Sequence, residues 1–571
     1  MKEHRSPIPA RIYNAAVSGH ICGPDDIDFG QKVVHLIKYD KDGNEVSFES
    51  QVTQANKIYV IHDDFVLSSN VTIPTNCVLE FDGGSISASS SNNEITGQNT
   101  YIIGNLLNIL SNSISLVGDW KFKSISPDWF IGTDIQKVQK AIDVAITNKS
   151  VQVDINRTYN LTGGTVYIER GIHSEDEISP YSRRDFIISG SGEGRFIKED
   201  AGFMFSARSA SIDIEFSKIH FRGYLTDPSD LSTIVDMKVF DCRYLYNIRV
   251  SNCTFCHCGC VYHQTGDTSV PMTGTLSLNN QYTKNKYVLQ ANECWHSQFV
   301  CDTIEDGLSA VEMEDENSNL RDFKIINCCI EGFYLTDTIA LNFKGNLSSC
   351  SITDNYFEAN YCSMRAVHAL TGIITGNSFH SRGRVDATKE VHCIELANCA
   401  NNLVVTGNNV VVNDANMYMF WFDTTSPYYV QSQLLIGENA AAKNTNISNV
   451  QDKIVILSSF IRDNNVKYAN DIINIVKQSF PQITDGHVYL SRAGKQVTIS
   501  VSVTTNAAIT SGSVNNYQDT CKPINNGGYD QILIDKNTGN VGDIIINTSG
   551  TLYIKVPNAG TYFGVLSYIH L

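Results

Sequence analysis

A short motif keeps returning in the middle of this chain, and it limits the possible folds more than any other feature. Val250-Ser251-Asn252-Cys253-Thr254-Phe255 is respelled as Ile325-Ile326-Asn327-Cys328-Cys329-Ile330. A second spelling occurs as Thr353-Asp354-Asn355-Tyr356-Phe357, Thr375-Gly376-Asn377-Ser378-Phe379 and Thr406-Gly407-Asn408-Asn409-Val410. The asparagines at 327, 355, 377 and 408 lie 22 to 31 residues apart, the length of one coil of a β-solenoid with variable loops. One coil cannot bury its own apolar residues. Stacking buries them, and asparagine corners can then join in hydrogen-bonded ladders. Composition agrees: 52 of 571 residues are Asn, only 12 are Pro, and 18% are charged, below the ~25% usual for globular domains. Asparagine tolerates the left-handed backbone that tight corners need. The expectation is an all-β chain built on a parallel β-helix.

Texture divides the chain into expected parts. Residues 1–50 are polar and irregular. Residues 51–126 carry short strands such as Lys57–Leu67 and Cys77–Phe81, separated by Pro74-Thr75-Asn76 and Asp82-Gly83-Gly84. Residues 127–450 hold the solenoid. Its opening contains the strongest helix signal, Asp134–Thr147, where Ile135, Val138, Ala141, Ile142, Ala145 and Ile146 share one face and Thr133 or Asp134 can cap. Residues 451–480 are a transition with helical potential at Asp471–Gln478. Residues 481–571 read as antiparallel strands divided by Gly-rich turns, in the manner of a small β-sandwich.

Several function classes are disfavoured. The net charge of −17, with no dense Lys/Arg cluster, argues against a nucleic-acid partner. No apolar run is long enough for a transmembrane helix, so no membrane insertion is expected. The N-terminus, Met1-Lys2-Glu3-His4-Arg5-Ser6-Pro7, has no apolar segment of the secretory kind, so no signal peptide is expected. The 16 cysteines show no disulfide framework and read as reduced, mostly buried thiols. Cys256, Cys258 and Cys260 alternate as on one strand, which suits a buried row better than a zinc site. The acidic run Glu312, Glu314, Asp315 and Glu316 lacks the spacing of a calcium loop. Neither a cofactor nor a metal is implied.

Trp129-Phe130, the helix through Ile135–Ile142, Arg157-Thr158-Tyr159-Asn160-Leu161 and Gly190-Ser191-Gly192-Glu193-Gly194 follow one another in a telling order. This order resembles the opening of the pectate-lyase-like right-handed β-helices of bacteriophage tailspikes and tail fibres. Ile8–His20 with Asp25-Asp26-Ile27 resembles segments that join such fibres to the virion. The last 90 residues resemble distal domains used for trimerisation and receptor contact. The resemblance implies a short capping helix, a C-terminal antiparallel β-sandwich, and a homotrimer in the virion tail bound to other tail or baseplate proteins through its N-terminus. It also implies binding, and with it the option of cleaving, a bacterial surface polysaccharide. A purely adhesive fibre and a bacterial polysaccharide hydrolase or lyase are the alternative readings.

If the chain is an enzyme, a glycoside hydrolase is the expected type, since two carboxylates across a groove suffice for that chemistry. Stacked coils bring together residues far apart in sequence. The candidates are Glu305 and Asp306, Glu331 and Asp337 of the next coil, and Glu358 of the one after. Asp306-Gly307 with Asp337-Thr338-Ile339-Ala340 resembles the spaced aspartates of polygalacturonase-like hydrolases, though Thr336 stands where that family has a paired aspartate. Arg365 and His368 are candidates for orienting a sugar carboxylate. Arg382 and Arg384, in the loop His380–His392, are candidates for a bidentate clamp.

Overall fold

The structure is a computed structural model that describes residues 33–90, 93–148, 152–169, 186–209, 211–264, 272–335, 338–368, 370–380, 391–396, 403–411, 417–422, 434–436, 440–441, 454–456, 473–493, 496–514, 529–547 and 551–569. It divides into two compact units, Met1–Gly307 and Leu308–Leu571.

The first unit opens with small parallel sheets. Val33–His35, Ile58–Ile61, Val78–Phe81 and Asn93–Gly104 pair in that order, and Phe65–Leu67, Ile86–Ala88, Leu110–Ser111 and Phe130–Ile131 form a second set. The helix Asp134–Thr147 follows with the boundaries its periodicity implies. Thr133 caps it in a reciprocal box with Gln136, which satisfies two otherwise orphaned amides. Val138, Ala141, Ile142, Val144 and Ala145 are its buried face. Arg157 ties the helix start to the first coil, meeting Asp128 at 2.8 Å and Asp134 at 3.0 Å.

Each coil then repeats one plan: strand a, a turn, strand b, a corner, strand c, and a connection to the next coil. In one coil the strands are Leu245–Ser251, Thr254–Cys256 and Cys260–Gln264. Each strand pairs in parallel with its counterparts in neighbouring coils, so three parallel sheets, named here a, b and c, wrap one core. The middle residue of the b strands from Thr158–Asn160 to Ser378–His380 points inward. Phe221, Phe255 and Tyr282 stack there, with ring centroids 4.8 and 4.9 Å apart and planes within 8°. The second unit keeps the plan, with b strands Cys329–Glu331, Tyr356–Glu358, Ser378–His380 and Asn409–Val411, and Phe357 stacked on Phe379. This is the parallel β-helix that the repeat predicts.

The a-to-b turn is two residues long in coil after coil, while other connections vary widely. Its first residue is left-handed: Asn252, Asn279 and Cys301 in the first unit, and Asn327, Asp354, Gly376 and Gly407 in the second. Its second residue is buried and carries the ladder. Asn280 Oδ1 accepts the Cys253 amide at 2.8 Å, and Asp302 Oδ1 accepts the Asn280 amide at 2.7 Å. In the second unit Asn355, Asn377 and Asn408 accept the amides of Cys328, Asn355 and Asn377 at 2.9–3.0 Å. Their Nδ2 groups donate to the carbonyls of Ile325, Ile352 and Ile374. The repeat is therefore real, but Asn327 belongs one position before the others: it is a corner residue, and Cys328 is the equivalent of Asn355.

The three alternating cysteines are a second correction. Cys256 ends a b strand, His257 turns the corner at φ 57°, and Cys258 and Cys260 lie beyond it. Cys258 and Cys260 are fully buried, whereas Cys256 is half-buried on the outer side.

The antiparallel domain expected at the C-terminus is one six-stranded sheet. Its strand order is Ile483–Ala493, Gln496–Thr505, Gly560–Ile569, Tyr529–Asp535, Val541–Ile546, Leu552–Lys555. Val476 of helix Ile473–Ser479 and Phe480 just beyond it, with Ile509 and Val514 from a loop, complete the core that a sandwich would close with a second sheet. Among the described residues, no helix is long and apolar enough to cross a membrane.

Candidate functional site

Alternation along a b strand turns its first and third residues outward. In the second unit the third-residue column reads Glu331, Glu358 and His380, and the first-residue column reads Cys329, Tyr356, Ser378 and Asn409. Glu331 and Glu358 are thus direct register partners on adjacent coils, about 4.8 Å apart at the backbone. Both are half-buried. The Tyr356 hydroxyl donates to Glu358 Oε2, and the Cys329 thiol lies 3.8 Å from Glu331 Oε2. His380 follows Glu358 in the column. Its ring lies 4.7 Å from that of Tyr356, and its Nε2 is 2.8 Å from Ser378 Oγ. Two carboxylates, a phenol and an imidazole therefore share one small outward patch of a rigid sheet. One carboxyl can give a proton to a leaving oxygen while the other attacks or activates water.

The other expected residues are placed differently. Glu305 ends the b strand Thr303–Glu305 of the first unit, beside Thr283. Asp306 is the left-handed corner residue after it, at φ 54°. Asp337, Arg382 and Arg384 lie outside the described residues. Arg365 sits in sheet c, in register between Asn342 and Glu395. Its Nε is 3.0 Å from Glu395 Oε1, and His392 Nδ1 takes the other oxygen at 3.0 Å. His368 Nε2 is 3.8 Å from Glu316 Oε2. Both candidates for orienting a sugar acid are thus engaged by carboxylates of their own chain. The acidic run is dispersed as well. Glu312 takes Lys344 and Asn342, Asp315 accepts the amides of Asn317 and Ser318, and Glu316 faces His368.

In the sequence His380 only opens the loop His380–His392 and Ser378 only spells part of the repeat, so neither is marked as facing outward. The signal that finds them is position: each stands at a fixed offset from the ladder residue Asn377, as Glu358 does from Asn355.

No protein-family model matches the chain, and no curated protein matches it. Solved structures similar to it include ORF18 of Geobacillus virus E2, 12% identical, spanning 77% of this chain and 76% of that one with a TM-score of 0.37. The Dettilon tailspike protein gp208 is 11% identical over 78% of this chain and 94% of that one, with a TM-score of 0.37. The enzymatically active domain of tailspike protein 2 of bacteriophage CBA120 is 10% identical over 79% and 70%, with a TM-score of 0.39.

Proposed function

We propose that this chain is a bacteriophage tailspike or tail fibre that attaches the virion to a bacterial surface polysaccharide and hydrolyses it at Glu331 and Glu358. The observation that carries the reading is the pairing of those two carboxylates in register on the outer face of a rigid sheet, flanked by Tyr356 and His380. The sequence resemblances supply the rest of the context: residues 127–450 the tailspike-like β-helix, Ile8–His20 virion attachment, and the last 90 residues assembly as a homotrimer. A second feature supports association of copies. The C-terminal sheet leaves Ile532, Ile534, Val541, Phe563 and Val565 between 40% and 55% exposed on its outer face. Phe563, Ile534 and Val541 are consecutive register partners there. A contiguous apolar row of this kind marks an interaction surface, and a second and third copy of the chain are its occupants in this reading.

The test incubates the full chain with surface polysaccharide from candidate hosts. It follows new reducing ends together with the ultraviolet absorbance of unsaturated sugar products. Reducing ends without absorbance are the expected result. Both signals rising together would replace hydrolysis by elimination. Binding with neither would leave an attachment fibre without turnover.

A further inference from the structure

The outer face of sheet b carries a different chemistry in the first unit. There Arg195, His220 and Thr254 are successive partners in the first-residue column, and Ile197, Arg222 and Cys256 in the third. Arg195, His220, Phe221, Arg222, Thr254, Cys256 and His257 line a pocket of about 180 Å³, the room of roughly six waters. That suits one charged group and its attachment better than a whole oligosaccharide. His220 Nδ1 is fixed by the Thr254 hydroxyl. Among the described residues neither guanidinium has a hydrogen-bonding or ion-pairing partner. Burial lowers the proton affinity of His220 and His257; Arg195 lowers it further at His220, and Arg222 with Lys284 at His257. In a chain of net charge −17, two arginines that line one half-enclosed pocket and have no partner among the described residues are an attraction for a negative group.

We infer that this pocket binds the oxyanion of an acidic sugar, a carboxylate or a sulfate ester, through Arg195 and Arg222. The guanidinium fork matches two oxygens at once, which a lysine could not do. The oxyanion site stands on the pocket alone; its assignment to a polysaccharide rests on the proposed glycan-binding function.

Cys256 supplies a reporter, because its thiol lines the pocket, while Cys301 is exposed elsewhere and serves as the internal control. The full chain is alkylated with a small thiol reagent and the two sites are followed by mass spectrometry. Four probes are compared: inorganic sulfate, an oligogalacturonate, a sulfated oligosaccharide and a neutral oligoglucoside. The acidic oligosaccharide that carries the right group is expected to slow Cys256 at least several-fold, with Cys301 unchanged and the neutral sugar without effect. Protection by the galacturonate identifies a carboxylate, and protection by the sulfated sugar a sulfate ester. Arg195→Gln and Arg222→Gln, with unchanged circular dichroism, should each abolish it. A parallel readout in the unmutated chain is displacement of the His220 and His257 imidazole resonances by the same probe. No protection by any anion, equal protection by the neutral sugar, or protection that survives both substitutions would overturn the site. Protection by inorganic sulfate alone would overturn its assignment to a polysaccharide. None of these readouts depends on cleavage, so the pocket and the Glu331–Glu358 reading can fail separately.

Discussion

At the scale of single residues, the core of this protein is specified by which side chain can serve the buried amide of the adjacent coil. Asn377 accepts the Asn355 amide and donates to Ile352, and it is fully buried. Asn377→Ala strands several buried polar groups, and a loss of roughly 3 kcal/mol is expected in denaturant unfolding. Asn279 is instead an exposed left-handed corner residue. Asn279→Gly should cost about 0.5 kcal/mol or less, since glycine adopts that conformation freely. Asp302 stands where other coils carry Asn. Burial pushes its carboxyl up from 3.8 to about 7, against the hydrogen bonds from Ser277 and Asn280. The folded chain therefore holds this proton more tightly than the unfolded one. The contribution of Asp302 to stability is fullest below pH ~4, declines as pH rises towards about 7, and is level above that. Asp302→Asn should remove this slope and stabilise the chain more at pH 8 than at pH 5, by up to about 4 kcal/mol in the high-pH limit, as read from denaturant unfolding at the two pH values. The ladder was legible in the sequence as a recurring Asn, but its register was not. Two adjacent positions both favour Asn, one for its left-handed backbone and the other for its amide side chain, and spelling alone does not tell them apart.

At the scale of the element, that one-residue offset decides which side chains face solvent. Counting three residues on from Cys253, Asn280, Asp302, Cys328, Asn355 and Asn377 gives Cys256, Thr283, Glu305, Glu331, Glu358 and His380, the outward third position of each b strand. Glu331 and Glu358 were legible in the sequence as candidate carboxylates on successive coils. His380, Arg195 and Arg222 were missed because outward direction follows from register, not residue type. The helix was fully legible, since its cap, first turn and apolar face are all local. The cysteine row was misread because a left-handed His257 breaks what spells like an alternating strand. In the proposed mechanism, the backbone spacing of about 4.8 Å between these register partners fits the short separation of the retaining arrangement. The first product released, followed by nuclear magnetic resonance of the anomeric proton, should keep the configuration of the cleaved bond. Glu331→Gln and Glu358→Gln should each lower kcat by about 100-fold or more with polysaccharide binding retained. A merely structural role would instead lower stability and leave kcat of the folded fraction intact.

At the scale of the whole molecule, the proposed trimer makes a separate demand on the C-terminal sheet. Its outward Phe563 and Val565 are too exposed to hold the sheet together, so Val565→Asp should leave circular dichroism unchanged. Sedimentation velocity should nonetheless show a shift from trimer to monomer, and an unchanged trimer would remove this face from the interface. The solenoid itself follows a simpler logic of size. Its a-to-b turn never varies across the motif-bearing coils, and successive ladder residues such as Asn355 and Asn377 are separated by one complete circuit of 22 residues. A deletion of that whole circuit would rejoin like with like at the turn, whereas one residue more or fewer would throw inner and outer faces out of phase. Insertions at the other two vertices meet no such rule. Evolution can thus lengthen or shorten a stack of coils only by whole coils, in steps of about 4.8 Å, while redecorating its flanks without counting.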